Sequence, residues 1–524
     1  MPSTTLPFAT TPTHSTTTAS DPSGSLSGAR AKHSIVIVGG GTAGWMTALL
    51  MAQQWREQVQ ISLIESPDIG IIGVGEGSTP SLKRFFSQLG IADSEWMARC
   101  NATYKVSIRF RDWSPGTGIA SYSHPFISQL DQFSELAFYQ NCFARRQGLD
   151  VTTLPDKFLF NGYLADAGLS PVTPPHFPFR IEYGYHFDSA LLGQFLKERA
   201  IALGVVHLPT TMQQVNLHPD GRIASVVCQD ALDVHGELFV DCTGFRAELL
   251  QKTLGVKFDA FKANLFNDAA VVLPTPALST LPPETRATAL STGWAWQIPL
   301  QHRTGNGYVY SRDFLSADAA ETELRAHLGL LDSDIQARHL QMNVGQVRQH
   351  WAKNCVGIGL SQGFIEPLEA TALHLVQTAV ENFIDDYQQG GFTDRYAARY
   401  NHSVSQRFDA TRDYIVAHYK FNSRDDTDYW RANRANEQLS DRLQQIMHSW
   451  FALGDLGKLL ASQQRESMFG NTSWHCLLAG YGVFPHLASS QPSAAQLAAR
   501  DQWHAQGLDA LFQGCCLNFQ PQRR

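Results

Sequence analysis

A glycine-rich loop between a strand-like run and a helix-like run is the feature that most constrains this chain. Residues 34–38 read SIVIV, residues 45–54 have a helical pattern, and the loop between them has the spacing GxGxxG at Gly39, Gly41 and Gly44. A second strand-like run, ISLIE, follows at 61–65. Such glycines allow a tight turn and a close approach to a pyrophosphate, which then lies at the helix N-terminus. The pattern therefore predicts a dinucleotide-binding βαβ unit.

Two later runs return to the same pattern and favour FAD over NAD. Residues 238–244 read LFVDCTG and residues 354–360 read NCVGIGL, and each is an apolar strand that ends in a glycine turn. A tightly wrapped flavin needs several chain segments, whereas an NAD domain is usually one contiguous block. The glycine loop alone does not separate the two cofactors, but three separated segments predict FAD.

The size and charge of the chain exclude several classes of protein. At 524 residues it is longer than one ordinary domain, so we expect two closely packed domains. A net charge of −7 without basic runs argues against a nucleic-acid partner. Residues 1–32 are rich in Ser, Thr and Pro and are expected to be a disordered tail. Because the sequence has neither an apolar signal region nor an apolar run of about 18 residues, we expect a cytoplasmic protein that does not bind membranes.

The cysteine pattern also agrees with a cytoplasmic protein. None of the eight cysteines forms a CxxC motif, so no metal site and no redox motif is predicted. They are expected to be buried thiols of a reducing compartment.

These patterns predict an α/β protein. We expect an FAD-binding domain of the Rossmann type, similar to that of flavoprotein monooxygenases, joined closely to a mainly helical substrate-binding domain. The FAD domain is expected to be discontinuous and to comprise residues 33–110 and 180–390. Residues 111–179 and 391–524 are expected to form the substrate-binding region.

Two further motifs point to chemistry. Residues 294–299 read WAWQIP; in a strand, Trp294 and Trp296 point to the same face, and Pro299 ends the strand. Taken alone, such a pair of tryptophans is more often core packing than function. Residues 366–371 read EPLEAT and lead into a helix with apolar residues at 373, 376 and 379. The free amides at the start of such a helix favour anions.

Together with the glycine loop and the segment GVGE at 73–76, these motifs resemble the flavin-dependent tryptophan halogenase family. The resemblance covers residues 34–486, and the WxWxIP motif is specific to that group. It implies a halogenase to which a separate flavin reductase supplies FADH2. In that family, a flavin hydroperoxide formed with O2 oxidises chloride or bromide to hypohalous acid. The acid then halogenates an electron-rich aromatic, such as indole, by electrophilic substitution.

The resemblance assigns four residues to the reaction. Lys105 matches the lysine that holds the halogenating species, and Glu369 matches the glutamate that orients it and takes the ring proton. Thr371 and Ala372 match the positions whose backbone amides bind halide. Tryptophan-specific enzymes have glycine where this chain has Ala372, so a positive φ at this position would be strained. Without the resemblance, we would expect Lys105 to be a solvated surface lysine and Glu369 to be a helix-capping acid.

The substrate pocket differs from that of the tryptophan-specific enzymes. His124 and Phe126 match the pair on one side of the indole, and Phe469 replaces the tryptophan on the other side. Residues 454–467 have no tyrosine, whereas the tryptophan-specific enzymes have a segment rich in tyrosine and acid that holds the amino-acid backbone. Buried polar groups need partners, so free tryptophan should bind poorly. We expect a substrate without the amino-acid head, or a larger molecule.

The remaining assignments concern the flavin and the tunnel. Glu65, at the end of the second strand, is placed to accept hydrogen bonds from a ribose. Trp294 and Trp296 are expected to wall the tunnel and keep substrate away from the flavin. The residues expected to contact the flavin are Gly39, Gly40, Gly41, Thr42, Ala43, Gly44, Glu65, Ser66, Glu76, Met212, Leu360 and Leu373.

Two other functions remain open at this point. A flavin monooxygenase would hydroxylate an aromatic at the flavin itself, without a requirement for halide or Lys105. A non-catalytic flavin-binding protein would bind FAD without turnover. Members of the family are often homodimers, so a dimer is also an open alternative. The sequence does not give the natural substrate, the position that is halogenated, the preferred halide or the reductase.

Overall fold

The predicted βαβ unit lies at the centre of a mostly parallel sheet. In the computed structural model, which describes residues 32–70, 75–463, 467–501 and 507–523, His33–Val38 pairs in parallel with both Val59–Ile64 and Leu238–Asp241. Across this sheet the strands are, in order, Trp351–Ala352, Cys355–Gly357, Leu238–Asp241, His33–Val38, Val59–Ile64 and Val206–Leu208. The three separated chain segments predicted for the FAD domain therefore meet in one sheet. The predicted tail lies outside the described residues, apart from Lys32.

The glycine loop has the backbone that its sequence predicts. Gly39 has φ 115°, and a Cβ at this position would lie 2.1 Å from the carbonyl oxygen of Cys242, so another residue would not fit. The following helix, Thr42–Trp55, packs against Ser189–Ala202 and Ala372–Gln389. The late strand is shorter than the predicted 354–360: it ends at Gly357 because Gly359, with φ 75°, turns the chain into the 3₁₀ helix Gly359–Ser361.

A second, larger sheet carries the WxWxIP motif. Gly293–Pro299 forms an interior strand that ends at the proline, as predicted. The strand Ile119–Pro125 at one edge belongs to the region predicted to be largely helical. The strands of this sheet are, in order, Arg338–Gln341, Ala269–Val272, Arg303–Tyr310, Gly293–Pro299, Glu284–Leu290, Ser107–Ser114 and Ile119–Pro125, and Thr275–Pro276 also pairs with Arg303–Tyr310.

Small antiparallel sheets complete the β structure. One of them joins Glu76–Gly77 to Thr103–Lys105 through the shared neighbour Gly184–Phe187. The other small sheets contain Met212–Leu217, Ile223–Cys228 and Asp233–His235, and Phe258–Ala260, Gly345–Val347 and Gly363–Phe364.

Helices dominate the chain after residue 395, as the sequence predicted. Residues from His33 onward form one compact unit, so the proposed division into two domains remains a prediction. Among the described residues, no helix is both long and apolar enough to cross a bilayer. The α-helices are Thr42–Trp55, Ser81–Gln88, Asp93–Trp96, Glu135–Arg146, Phe160–Asp166, Ser189–Ala202, Ala317–Leu328, Ala372–Gln389, Ala397–Phe421, Asp428–Ala435, Asp441–Phe451, Leu456–Ser462, Asn471–Gly480, Ala494–Asp501 and Gly507–Cys516.

Candidate active site

The glycine loop fits a dinucleotide pyrophosphate. Gly41 caps the helix Thr42–Trp55 with extended backbone, and no side chain accepts a hydrogen bond from the first-turn amides. A Cβ at Gly41 would have no neighbour within 4 Å, so the loop leaves open space in front of these amides. Free helix amides facing open space are what a phosphate requires.

Glu65 lies where the sequence placed it, but it is already bound by other side chains. It follows the strand Val59–Ile64 and accepts hydrogen bonds from Lys197 Nζ at 2.8 Å and Trp45 Nε1 at 3.3 Å. His207 Nε2 lies 2.9 Å from the same carboxylate. Lys197 and His207 are neighbours that the sequence did not reveal, and they orient the acid beside the glycine loop.

The other residues predicted to contact the flavin surround the loop or lie at the adjacent strand ends. Ser66 Oγ lies 2.8 Å from Thr211 Oγ1, and Met212 starts the next strand. A Cβ at Gly359 would lie 3.0 Å from the Cβ of Ala43, so the late turn that carries Leu360 touches the glycine loop. Thr42 Oγ1 donates to the carbonyl of Ser189, and Leu373 is buried in the first turn of its helix.

Glu76 connects this region to Lys105 through the small sheet described above. Glu76–Gly77 and Thr103–Lys105 flank the strand Gly184–Phe187. Burial raises the pKa of Glu76 to about 7, and the charge of Asp188 adds to the increase. Residues 71–74, which include Gly73 and Val74 of the GVGE segment, lie outside the described residues.

Lys105 is buried rather than solvated. Its side chain is fully inaccessible, and Nζ has no hydrogen-bond partner among the residues that the structure describes. Nζ lies 5.4 Å from the centroid of the Phe126 ring, and a Cβ at Gly77 would lie only 3.3 Å from Nζ. Burial lowers the pKa of Lys105 to about 7, although the charge of Glu369 acts in the opposite direction. A free amine that titrates near neutral pH is therefore held in an enclosed space.

A buried hydrogen-bond chain fixes the strand that carries Lys105. Thr103 Oγ1 donates to the carbonyl of Pro299 at 2.7 Å, and His186 Nδ1 lies 3.1 Å from the same hydroxyl. His186 Nε2 lies 2.9 Å from Thr285 Oγ1. Since the Thr103 proton is used on Pro299, Nδ1 of His186 must be the donor. The end of the WxWxIP strand thus anchors the lysine strand.

Glu369 does not cap a helix; two histidines hold it. His124 Nδ1 lies 2.9 Å from both carboxylate oxygens, and His418 Nε2 lies 3.1 Å from Oε1. Burial opposes ionisation of this carboxyl, but the charge of His124 and the hydrogen bonds from His124 and His418 lower its pKa to about 2. Glu369 is therefore a buried carboxylate that is ionised at neutral pH.

The helix start beside Glu369 answers the question raised by Ala372. Thr371 is the N-cap of the helix Ala372–Gln389, and Ala372 is its first residue. The positive φ in this segment is at Ala370, with φ 55°, so alanine at 372 creates no strain of that kind. Thr371 Oγ1 is buried without a hydrogen-bond partner among the described residues. The site thus offers free amides and an unused hydroxyl.

Trp294 and Trp296 form the pair of neighbouring indoles that the strand pattern predicted. Their ring centroids lie 6.2 Å apart. Trp294 Nε1 donates to Glu366 Oε2 at 3.0 Å, and this oxygen also accepts from Asn267 and Tyr419. Burial raises the pKa of Glu366. The buried carboxyl of Glu366 therefore holds Trp294 in place.

An aromatic slot lies beside Glu369. The centroids of His124 and Phe469 are 6.4 Å apart, and Phe469 stacks on Tyr414 at 3.7 Å with an interplanar angle of 6°. The two rings are tilted by 36°, and a ring held between two faces needs about 7–8 Å, or two carbon contact distances. His124 and Phe469 must therefore move apart to admit an aromatic ring. Phe126, the third predicted residue, faces Lys105 instead.

Sequence reasoning missed several residues of this site. His186, Tyr414 and His418 come from segments far from the motifs, and no local pattern marks them. The spacing of Tyr414 and His418, four residues apart on one helix face, was the available signal. Glu135 and Tyr139 bond to each other and to Thr472, which follows Phe469 by three residues.

The fold and the site define a class of protein. A mostly parallel sheet with a dinucleotide loop belongs to the same compact unit as a buried lysine without a partner among the described residues, an ionised glutamate and two neighbouring aromatic rings. The chain belongs to the tryptophan halogenase family, whose family model matches residues 34–498. It is a flavin-dependent halogenase, so the predicted family, fold class and enzyme class are confirmed.

Individual proteins show how far the similarity extends. Tryptophan 6-halogenase SttH of Streptomyces toxytricini is 36% identical over 494 residues, which cover 88% of this chain and 92% of that protein. 7-chloro-L-tryptophan 6-halogenase KtzR of Kutzneria sp. (strain 744) is 37% identical over 497 residues, covering 90% and 94%. The structure of BrvH, a flavin-dependent halogenase from Brevundimonas sp. BAL3, matches with a TM-score of 0.80 and 32% identity, and the match covers 94% of this chain and 98% of BrvH.

Proposed function

We propose that this protein uses FADH2, O2 and chloride or bromide to halogenate an electron-rich aromatic, with Lys105 and Glu369 as catalytic residues. The observation that carries the proposal is the amine of Lys105. It is fully buried, has no hydrogen-bond partner among the described residues, and lies in the field of an ionised glutamate. A fold does not keep such an amine for stability, because an unpaired buried polar group is costly.

Lys105 would hold and polarise the halogenating species. With a pKa of about 7, the group has both protonated and neutral forms near neutral pH. The ammonium donates a hydrogen bond to hypohalous acid and stabilises negative charge on the departing oxygen. The neutral amine would instead take the halogen from hypohalous acid, so that an N–halogen bond replaces the O–halogen bond and the amine proton leaves with hydroxide as water. The ammonium would make the halogen more electrophilic, and the haloamine would hold it beside the ring.

Glu369 would accept the proton that the ring loses. Its pKa of about 2 keeps it ionised, and a halogenated arenium ion is acidic enough to give a proton to a weak base. The C–H bond pair returns to the ring, and an O–H bond forms on the carboxylate. Its hydrogen bonds to His124 and His418 hold it in place for this step.

The helix start next to Glu369 would bind the halide. The amides of Thr371 and Ala372 open a helix of 18 residues, whose dipole favours an anion. The buried hydroxyl of Thr371 adds a donor.

The glycine loop would hold FADH2, which a separate reductase supplies. Reduced flavin with O2 provides the oxidising equivalents that convert halide into hypohalous acid. Glu65 would hold the ribose, and Trp294 with Trp296 would separate the flavin from the substrate. Residues 33–110 and 180–390 would serve the cofactor, and residues 111–179 and 391–524 would serve the substrate.

The proposed substrate is an indole or a related aromatic without a free amino-acid head. His124 and Phe469 provide the faces of the slot. The helix Leu456–Ser462, in the segment where the tryptophan-specific enzymes are expected to have tyrosines, has none. Glu135 and Tyr139, the polar groups beside the start of the helix after Phe469, already bond to Thr472.

A product assay tests the proposal. The purified protein would be incubated with FAD, a flavin reductase, NADH and either bromide or chloride. The substrates would be indole, 3-methylindole and free tryptophan, and mass spectrometry would identify the products. We expect halide-dependent products, with a larger kcat/KM for the two indoles than for tryptophan. Lys105→Ala should lower kcat by at least about 100-fold, whereas the control Lys83→Ala, on the surface helix Ser81–Gln88, should keep the wild-type rate.

Two results would contradict the proposal. Oxygenated products without a need for halide would indicate a flavin monooxygenase. Full activity of Lys105→Ala would remove the lysine from the reaction.

A further inference from the structure

One of the residues that hold the carboxylate of Glu369 lies outside the family motifs. His418, on the helix Ala397–Phe421, is completely buried and reaches Glu369 Oε1 through Nε2 at 3.1 Å. Its other ring nitrogen, Nδ1, lies 2.6 Å from the hydroxyl of Tyr481. A continuous buried chain thus runs from Glu369 through His418 to Tyr481.

The chemistry of these three groups fixes where each proton lies. Glu369 is ionised and can only accept, so Nε2 of His418 must carry a proton. Burial lowers the pKa of His418, which keeps the ring neutral and leaves Nδ1 as an acceptor. Tyr481 must then donate its hydroxyl proton to Nδ1, and burial keeps this hydroxyl protonated because it raises the pKa well above the usual value. Tyr481 therefore selects the tautomer of His418 that donates to Glu369.

Packing prevents the imidazole from turning away. The His418 ring lies 4.8 Å from Phe110 and 5.9 Å from Trp113, and Tyr481 stacks on Trp113 at 6.0 Å. All of these rings are buried. A donor fixed in this way points at one oxygen of the carboxylate throughout a reaction cycle.

The other groups around Glu369 cannot replace this donor. Lys105 and His124 are the remaining groups near it that can carry positive charge. Tyr122, Tyr414 and Cys476 also lie within its field, and burial raises the pKa of each well above its ordinary value, so they stay neutral. His124 also lines the aromatic slot, so its position is open to the substrate. His418, in contrast, is a completely buried donor.

We propose that His418 and Tyr481 are positioning residues for Glu369, which they hold through Oε1, so that Oε2, whose contact among the described residues is His124 on the substrate side, takes the ring proton. The proposal rests on the function proposed above for Glu369. His418 remains neutral throughout and only donates a hydrogen bond; the proton from the ring goes to Glu369 alone.

The test uses three variants of the full-length protein and two readouts. Tyr481→Phe keeps the ring and removes only the hydroxyl. His418→Gln keeps a donor toward Glu369, and His418→Leu removes it. Infrared difference spectra across a pH titration follow the Glu369 carboxyl, whose band is assigned by its absence in Glu369→Gln. Halogenation of indole gives kcat and KM.

We expect the carboxyl pKa to rise by about one unit or more in His418→Leu, since a hydrogen bond to a charged group is lost. Tyr481→Phe should raise it by a smaller amount, and His418→Gln should restore it most of the way to the wild-type value. We expect kcat to fall about tenfold in His418→Leu, a few-fold in Tyr481→Phe and little in His418→Gln. The KM for indole should not change. Tyr400→Phe, a buried tyrosine that bonds only Gln362 in the described structure, is the matched control and should change neither readout.

An unchanged carboxyl pKa in both Tyr481→Phe and His418→Leu would overturn the inference, as would equal losses in His418→Gln and His418→Leu. If His418→Leu does not fold, Tyr481→Phe and His418→Gln still decide the matter. If the titration shifts as expected but the wild type makes no halogenated product, the proposed function fails and the positioning of Glu369 stands.

Discussion

Lys105 and Arg109 lie four residues apart, are both buried cations, and have opposite surroundings. Nζ of Lys105 has no partner among the described residues, and burial lowers its pKa to about 7. The guanidinium of Arg109 reaches Glu284 at 2.7 Å, Asp156 at 3.3 Å and Asp166 at 2.5 Å. Burial opposes its charge too, but these carboxylates outweigh that effect and raise its pKa.

The difference distinguishes a cation that stabilises the fold, Arg109, from a cation that is available to bind another molecule, Lys105. Arg109 joins the edge strands of the larger sheet, because Asp156 also accepts from the amide of Ser123 beside His124. Its charge is used entirely within the fold. The amine of Lys105 has no such partner among the described residues. Glu366 and Glu369 repeat this contrast among acids, with one facing neutral donors and the other facing two histidines.

The largest expected effect is the loss of stability on substitution of Arg109, the paired cation. Arg109→Met removes the guanidinium from buried Asp156 and from one oxygen of Glu284, whose other oxygen keeps Arg286, and should lower the free energy of unfolding by about 3–5 kcal/mol. Chemical denaturation followed by fluorescence measures this. The control, Arg348→Met, breaks an exposed pair with Asp259 and should cost less than about 1 kcal/mol. Equal values for the two variants would mean that the cluster around Arg109 does not support the sheet.

The two acids should respond differently to the same substitution. Glu369→Gln removes the base and should lower kcat for halogenation by about 10²–10³-fold. Glu366→Gln keeps an oxygen acceptor for Trp294, Asn267 and Tyr419, so its kcat should fall by less than about tenfold. Steady-state product formation with indole measures both. A similar loss in the two variants would show that the histidines do not make Glu369 special.

Lys105 should make stability depend on pH. Its pKa is lowered from an ordinary value of 10.5 to about 7, so between these values the unfolded chain binds more protons than the folded protein. The free energy of unfolding of the wild type relative to Lys105→Met should therefore rise with pH from about 7 to 10, by up to about 1.4 kcal/mol per pH unit. Denaturation of both proteins at several pH values tests this. If the difference in the free energy of unfolding does not change with pH, Lys105 keeps its ordinary pKa.

The smallest expected effect is at the anchor of the lysine strand. Thr103→Val preserves shape but leaves the Pro299 carbonyl and His186 Nδ1 without their shared partner. We expect a loss of about 1–2 kcal/mol of stability and a few-fold lower kcat, since Lys105 is then held less firmly. Thr322→Val, on the exposed face of the helix Ala317–Leu328, should change stability by less than about 0.5 kcal/mol. No difference between the two variants would contradict the anchoring role.

The cofactor half of the molecule could be predicted from sequence because its signals are local. The GxGxxG spacing of Gly39, Gly41 and Gly44 lies within one short loop, and strand periodicity identified four strands of the sheet, His33–Val38, Val59–Ile64, Leu238–Asp241 and Cys355–Gly357. The WxWxIP strand was predicted for the same reason, since side chains alternate along a strand.

The surroundings of Lys105 and Glu369 could not be predicted in this way. They include His124, His186 and His418, which come from an edge strand, a small sheet and a long helix. No local pattern distinguishes a buried free lysine from a surface one, so Lys105 was identified only through the family motifs. The sequence by itself determined the α/β class, the glycine loop and the motifs that mark the family. Only the tertiary structure decided that Lys105 is unpaired and that Glu369 is ionised, because burial and neighbouring charges set a pKa, and both arise when distant segments pack together.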